Sequence, residues 1–119
     1  MKKILILGST GSIGVNTIEI ARLFPEKFEI IGLTANNNIE LLRKQIEEFH
    51  PKVVVVRDEA KSKELKEQIG NQCEILTGDQ GLLEITQRDN YDILVSALVG
   101  FAGLAPTIEA IKLKKRIAL

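Results

Sequence analysis

The sequence predicts an α/β fold of three layers, in which a mostly parallel sheet lies between helices on both faces. Short, continuous apolar runs alternate along the chain with segments of helical periodicity. Such runs are typical of strands that are buried on both faces of a parallel sheet. The loops between them are short, and this alternation predicts a parallel sheet with right-handed crossovers. Ligands bind such sheets beyond the carboxyl ends of the strands, so the loops at those ends form the candidate site.

The predicted elements follow one another in a regular order. The predicted strands are Lys3–Leu7, Phe28–Leu33, Val53–Val56, Glu74–Leu76, Tyr91–Ala97 and a last one starting at Arg116. The predicted helices are Ile13–Phe24, Ile39–Phe49, Glu59–Ile69, Gly81–Gln87 and Leu104–Ile111, the last opened by Pro106. In the first helix, apolar positions recur at helical spacing, the pattern of a helix with one apolar side. These positions are Ile13, Thr17, Ile20, Ala21 and Phe24.

Composition and charge are those of a single globular domain. The chain has 119 residues, of which 45% are hydrophobic and 27% charged. Sixteen basic residues balance sixteen acidic ones, so we expect no nucleic-acid partner and expect any anion to be held locally. No apolar stretch approaches the roughly 18 residues that span a bilayer, so we expect no membrane segment. The single cysteine, Cys73, excludes an internal disulfide and is compatible with the cytoplasm.

The segment that carries the most information is a glycine loop between the first strand and the first helix. It reads Gly8-Ser9-Thr10-Gly11-Ser12-Ile13-Gly14. Glycines there permit a tight turn and the close approach of a phosphate, and the helix N-terminus adds partial positive charge. This context predicts a Rossmann-like nucleotide-binding module. The alternative is a plain strand-to-helix turn, with Ser12 as the helix cap.

The end of the second strand indicates which dinucleotide is bound. NAD-binding proteins place an acidic residue there, about 20 residues past the glycine loop, to accept from the ribose 2′-OH. This sequence has Asn36, Asn37 and Asn38 instead. Amide donors without a carboxylate favour the 2′-phosphate of NADPH. The alternative, compatible with the first, is that Asn37 or Asn38 is simply the N-cap of the next helix.

Three segments resemble the N-terminal domain of the 1-deoxy-D-xylulose 5-phosphate reductoisomerase family. The third is the most distinctive, and the resemblance extends over the whole chain. The segments are Ile6 to Gly14, Leu33 to Asn38, and Ala97 to Thr107.

The resemblance implies a set of cofactor contacts. Thr10, Gly11, Ser12 and Ile13 would contact NADPH near its pyrophosphate. The run Asn36, Asn37 and Asn38 would surround the 2′-phosphate, and Ala97 to Gly100 would follow the adenosine and ribose. Members of the family often have Gly-Lys-Asn where this sequence has three asparagines, so the usual charged partner is missing. Arg43 and Lys44 are nearby cations that could compensate.

The resemblance also implies what this chain lacks. Residues 1–119 would be a truncated cofactor domain, with no catalytic residue and no metal ligand of its own. The full-length enzyme would be a cytoplasmic homodimer that uses NADPH and a divalent metal, Mg or Mn, on a sugar-phosphate substrate. Two other hypotheses remain open from the sequence: an aspartate-semialdehyde dehydrogenase-like domain, and a stand-alone nucleotide-sensing module.

Overall fold

The computed structural model of the chain describes residues 1–98, 106, 111–113 and 115–118. The strands are β1 (Lys2–Leu7), β2 (Phe28–Ala35), β3 (Val53–Val56), β4 (Glu74–Thr77), β5 (Ile93–Ser96) and β6 (Arg116–Ala118). The helices are α1 (Ser12–Leu23), α2 (Ile39–Phe49), α3 (Glu59–Ile69) and α4 (Gly78–Gln87). The strands pair in the order β4-β3-β2-β1-β5-β6, and each pair is parallel. The predicted three-layer α/β class is therefore confirmed.

Helices cover both faces of the sheet. One face packs against α1, α2 and α3 through residues such as Ile18, Leu42 and Leu65. The other packs against α4 through Leu82 and Ile85. The four valines of β3 are at most 2% exposed. Burying a valine side chain contributes roughly 1.5 kcal/mol or more, so this short interior strand stabilises the core along its whole length.

The bounds of several elements differ from the predicted ones at their ends. β2 runs two residues further, to Ala35, and α4 begins at Gly78 rather than Gly81. β5 is shorter than predicted, because Tyr91 lies before it, buried, with its hydroxyl donating to the Thr86 carbonyl. The predicted helix Leu104–Ile111 lies mostly outside the described residues.

The buried side of α1 shares only Ala21 with the side that its apolar spacing indicates. Ile13 and Ile20 are 57% and 55% exposed, whereas Gly14, Ile18 and Ala21 are buried. The cause is Gly14. A Cβ built on it would lie 2.2 Å from the Gly8 carbonyl oxygen, so only a glycine lets this side of the helix approach the loop. Hydrophobic periodicity gives no weight to a glycine, so it indicated a side of the helix that is rotated from the buried one.

Candidate functional site

The glycine loop connects β1 to α1 at the carboxyl end of the sheet. Gly8 has a φ of +80°, a conformation that side chains disfavour, and the Gly11 N–H donates back to its carbonyl at 3.2 Å. Gly11, with extended backbone (φ −82°, ψ 173°), is the N-cap of α1, and no side chain caps this helix. The alternative reading of Ser12 as the cap is therefore wrong, because Ser12 is the first helical residue.

Two other helices show what α1 lacks. Asn38 caps α2 by accepting from the Leu41 N–H, and Asp58 caps α3 by accepting from the Lys61 N–H. The expectation that Asn37 or Asn38 caps α2 is thus confirmed for Asn38. The first N–H groups of a helix have no partner within it. Those of α1 are left available for an anion, where the helix dipole also favours negative charge.

A buried polar network holds the loop in place from behind. Ser9 is fully buried; its N–H donates to the Thr34 carbonyl at 2.8 Å, and the Gly8 N–H donates to Thr34 Oγ1 at 2.9 Å. The Gln45 side chain bonds Ser9 twice: it accepts from Oγ at 2.8 Å and donates from Nε2 to the carbonyl at 3.0 Å. Bonds of this kind hold the loop backbone in one position, because breaking one of them leaves a buried polar group unpaired.

Sequence reasoning missed both partners of the loop. Gln45 is 5% exposed and lies on the buried side of α2 between Leu42 and Ile46. A glutamine at an apolar position was the one available signal, because buried polar groups are nearly always hydrogen-bonded. Thr34 gave no comparable signal, since threonine is common in strands.

A cleft of about 240 Å³ opens beside the loop. Its described lining comes from the ends of four strands and from the loop itself. The lining residues are Gly8, Thr10, Gly11, Asn36, Arg57, Ala97 and Leu98. The fold thus brings together three segments that the sequence singled out separately, and it adds Arg57, which the sequence did not indicate.

The predicted site residues divide between this cleft and its surroundings. Thr10, Gly11 and Asn36 line it, whereas Ser12 and Ile13 lie next to it at the exposed start of α1. A neighbouring groove between α2 and α3 contains the other two asparagines. Its lining is Asn37, Asn38, Ile39, Glu40, Arg43, Lys61, Glu64 and Gln68.

Arg43 and Lys44, the two cations predicted to compensate for the missing lysine of the asparagine run, lie in different grooves. Arg43 lies in the groove with Asn37 and Asn38, and it donates to Gln68 Oε1 at 3.2 Å. Lys44 lines a different groove, between α1 and α2. Lys44 is therefore not placed to compensate near the asparagine run.

Among the described residues of the cleft, Arg57 is the one titratable group. Its Nε donates to Asp79 Oδ1 at 3.0 Å, and its side chain is 25% exposed.

Elsewhere, burial raises the pKa of the Cys73 thiol, which keeps the thiol protonated and unreactive at neutral pH. The described residues contain no cluster of three potential metal ligands and no helix long and apolar enough to cross a membrane. The cleft has the chemistry of a binding site for an anion rather than of a proton-transfer site.

A glycine loop opening an uncapped helix, at the carboxyl ends of a parallel sheet, is the arrangement of the Rossmann-type fold. The family model for 1-deoxy-D-xylulose 5-phosphate reductoisomerase matches residues 4–119. The chain therefore belongs to that family, as its sequence resemblance indicated. This assignment decides against the aspartate-semialdehyde dehydrogenase-like alternative.

Known proteins similar to this chain agree with the assignment. It is 56% identical over its whole length to 1-deoxy-D-xylulose 5-phosphate reductoisomerase of Thermoanaerobacter sp. (strain X514) and 49% identical to that of Chlorobaculum tepidum. It covers 31% of each, so it spans about a third of the length of these relatives.

Solved structures match with the same coverage. One is a crystal structure of DOX-P reductoisomerase in complex with NADPH, fosmidomycin and magnesium. The match covers all of the present chain and 30% of the reductoisomerase chain, with 35% identity and a TM-score of 0.94. The Zymomonas mobilis enzyme in complex with NADPH matches 99% of this chain and 31% of its own, with 31% identity and a TM-score of 0.92.

Proposed function

We propose that this chain is the NADPH-binding part of a 1-deoxy-D-xylulose 5-phosphate reductoisomerase. The complete enzyme would convert 1-deoxy-D-xylulose 5-phosphate to 2-C-methyl-D-erythritol 4-phosphate in non-mevalonate isoprenoid biosynthesis. The observation that carries the proposal is the uncapped first turn of α1, which meets the cleft at Gly11. Its support from outside the chain is the similarity to a reductoisomerase solved with NADPH.

The residues at the loop fit a dinucleotide. A Cβ on Gly11 would meet no described atom nearer than the Gly8 carbonyl oxygen at 3.7 Å, so packing does not require a glycine there. What the glycine does provide is open space in front of the helix N–H groups, where a pyrophosphate needs it. The half-buried Thr10 and exposed Ser12 and Ile13 border the same space.

The far end of the cleft fits an adenosine with a 2′-phosphate. No carboxylate is among the described residues that line it, and the Asn36 amide lies in it. Asn37 and Asn38, which precede α2 and line the neighbouring groove, would approach the phosphate from that side while the phosphate itself lies in the cleft. Ala97 and Leu98 provide an apolar wall for the adenosine, while Val99 and Gly100 of the same predicted contact lie outside the described residues.

These roles are those of binding and orientation. When bound, NADPH supplies a hydride from its nicotinamide. We assign no catalytic residue and no metal ligand to this chain. In the complete enzyme we propose that other segments bind the sugar phosphate and the divalent metal, Mg or Mn. We further propose that the enzyme is a cytoplasmic homodimer.

The test is a titration of the purified protein with NADPH, followed by the fluorescence of the nicotinamide. Gly11→Val would place a branched side chain in the pyrophosphate space and is expected to abolish saturable binding while circular dichroism stays unchanged. Asn16→Val is the matched control, because it adds the same side chain at an exposed position of α1. The proposal fails if the wild-type chain binds no NADPH, or if Gly11→Val binds as tightly as the control.

A further inference from the structure

The asparagine run has no cation, yet a 2′-phosphate carries close to two negative charges. The described part of the cleft contains one positive side chain, Arg57, which neither the glycine loop nor the asparagine run provides. Arg57 directly follows β3, and β3 pairs with β2 through Val56 opposite Ala35. Its position in the fold therefore puts it beside the strand end where the ribose of a dinucleotide lies.

Backbone hydrogen bonds fix Arg57 against that strand end. The Arg57 N–H donates to the Ala35 carbonyl at 3.0 Å, and the Asp58 N–H donates to the Asn36 carbonyl at 2.9 Å. The two segments Ala35-Asn36 and Arg57-Asp58 are thus locked side by side. The backbone that carries the Arg57 side chain is therefore fixed by hydrogen bonds to the end of β2.

The guanidinium is positioned by one carboxylate and keeps donors for another anion. Nε donates to Asp79, and among the described residues the two terminal nitrogens have no hydrogen-bond partner. An arginine has five N–H donors in a planar fork, which suits two phosphate oxygens at once. Asp79 is 79% exposed and lies in the first turn of α4, where the helix dipole offsets part of its charge.

The rival cations of the neighbourhood are less suitable. Arg43 is bonded to Gln68 in a groove that it shares with two carboxylates, those of Glu40 and Glu64. Lys61 in that groove is already paired with Glu64. A phosphate placed there would meet these carboxylates, whereas the described lining of the Arg57 cleft has none and the Asp79 carboxylate bonds only the Nε of Arg57.

We propose that Arg57 is the cationic partner of the 2′-phosphate and makes this chain prefer NADPH to NADH. The inference rests on the proposed function, because it assumes that the cleft binds the adenosine half of the cofactor. It assigns to Arg57 the charge that the run Asn36 to Asn38 lacks. The competing role, stacking of the guanidinium on the adenine ring, would aid NADPH and NADH equally.

The experiment compares dissociation constants for NADPH and NADH in wild type, Arg57→Met and Arg43→Met. Charge-assisted hydrogen bonds of this kind correspond to roughly tenfold or more in affinity. Arg57→Met is therefore expected to weaken NADPH about tenfold and NADH less than twofold. Arg43→Met is expected to leave the ratio of the two constants unchanged.

A second variant separates the cation from its ion pair. Asp79→Asn removes the same salt bridge but keeps the arginine, so it should retain the NADPH preference that Arg57→Met loses. Thermal unfolding of both variants checks that each is folded. Equal weakening of NADPH and NADH by Arg57→Met would overturn the inference in favour of adenine stacking, and a selective loss in Arg43→Met would overturn it in favour of Arg43. In either result wild-type binding of NADPH still supports the proposed function, whereas its absence would refute both.

Discussion

Gly14→Ala tests whether close packing of α1 on the glycine loop explains the burial pattern of that helix. The new Cβ would lie 2.2 Å from the Gly8 carbonyl oxygen and 2.6 Å from the Ser9 Cα. Both are backbone atoms, so no side chain can rotate away. Reaching an ordinary contact of 3.4 Å requires the helix and the loop to separate by about 1 Å.

The expected loss of stability follows from two opposing effects. Overpacking costs about 3 kcal/mol at the severe end of its usual range. The higher helix propensity of alanine returns about 1 kcal/mol. The net loss is about 2 kcal/mol, or roughly 8 °C in melting temperature for a chain of this size. Urea unfolding followed by far-ultraviolet circular dichroism measures it.

Gly11→Ala is the matched control, three residues away in the same loop. Its Cβ meets only the Gly8 carbonyl oxygen, at 3.7 Å, and its backbone is extended. We expect a loss within about 1 kcal/mol, the usual cost of alanine at an N-cap. A Gly14→Ala variant as stable as wild type, or a control equally destabilised, would show that the packing argument is wrong.

Two further predictions concern stability away from the cleft. In urea unfolding, Ile18→Ala should lower the unfolding free energy by about 3 kcal/mol and Ile20→Ala by less than about 0.5 kcal/mol. The reason is that Ile18 is buried and Ile20 is 55% exposed. The reverse order would support the side of the helix that periodicity indicated. Hydrogen bonds from Arg88 lower the pKa of Glu74 in the folded protein. The ion pair therefore stabilises the fold fully above the pKa of the unfolded chain, near 4.5, and this stabilisation is lost as the pH falls through the lower folded pKa. Arg88→Met should make the fall in unfolding free energy between about pH 5 and pH 3 shallower, and an unchanged pH profile would count against the pair.

The sequence predicted well those elements whose signals are local. α2 and α3 have the predicted bounds because each begins after a capping side chain, Asn38 or Asp58, and ends at a local stop. His50 ends α2 in the left-handed conformation just before Pro51, and Gly70 ends α3.

What the sequence did not predict depends on contacts between distant residues. The Ser9 to Gln45 bonds join positions 36 residues apart, and Arg57 reaches the cleft only because β3 pairs with β2. No pattern within either segment encodes such a contact. The sequence also does not show that Asn36 lines the cleft while Asn37 and Asn38, just before α2 begins at Ile39, line the neighbouring groove.

Thr34 connects the two halves of the proposed site. Its hydroxyl and carbonyl hold Gly8 and Ser9, and it lies two residues before Asn36, so one strand supports both the loop and the asparagine run. Thr34→Val keeps the volume but leaves the Gly8 N–H without its acceptor, which costs about 1–3 kcal/mol. Because we propose that the loop binds the pyrophosphate common to both cofactors, the affinities for NADPH and NADH should fall by the same factor. Urea unfolding and parallel titrations test this. A change in the ratio of the two constants would mean that the loop and the 2′-phosphate region are not held separately, and unchanged affinities would mean that Thr34 does not position the loop.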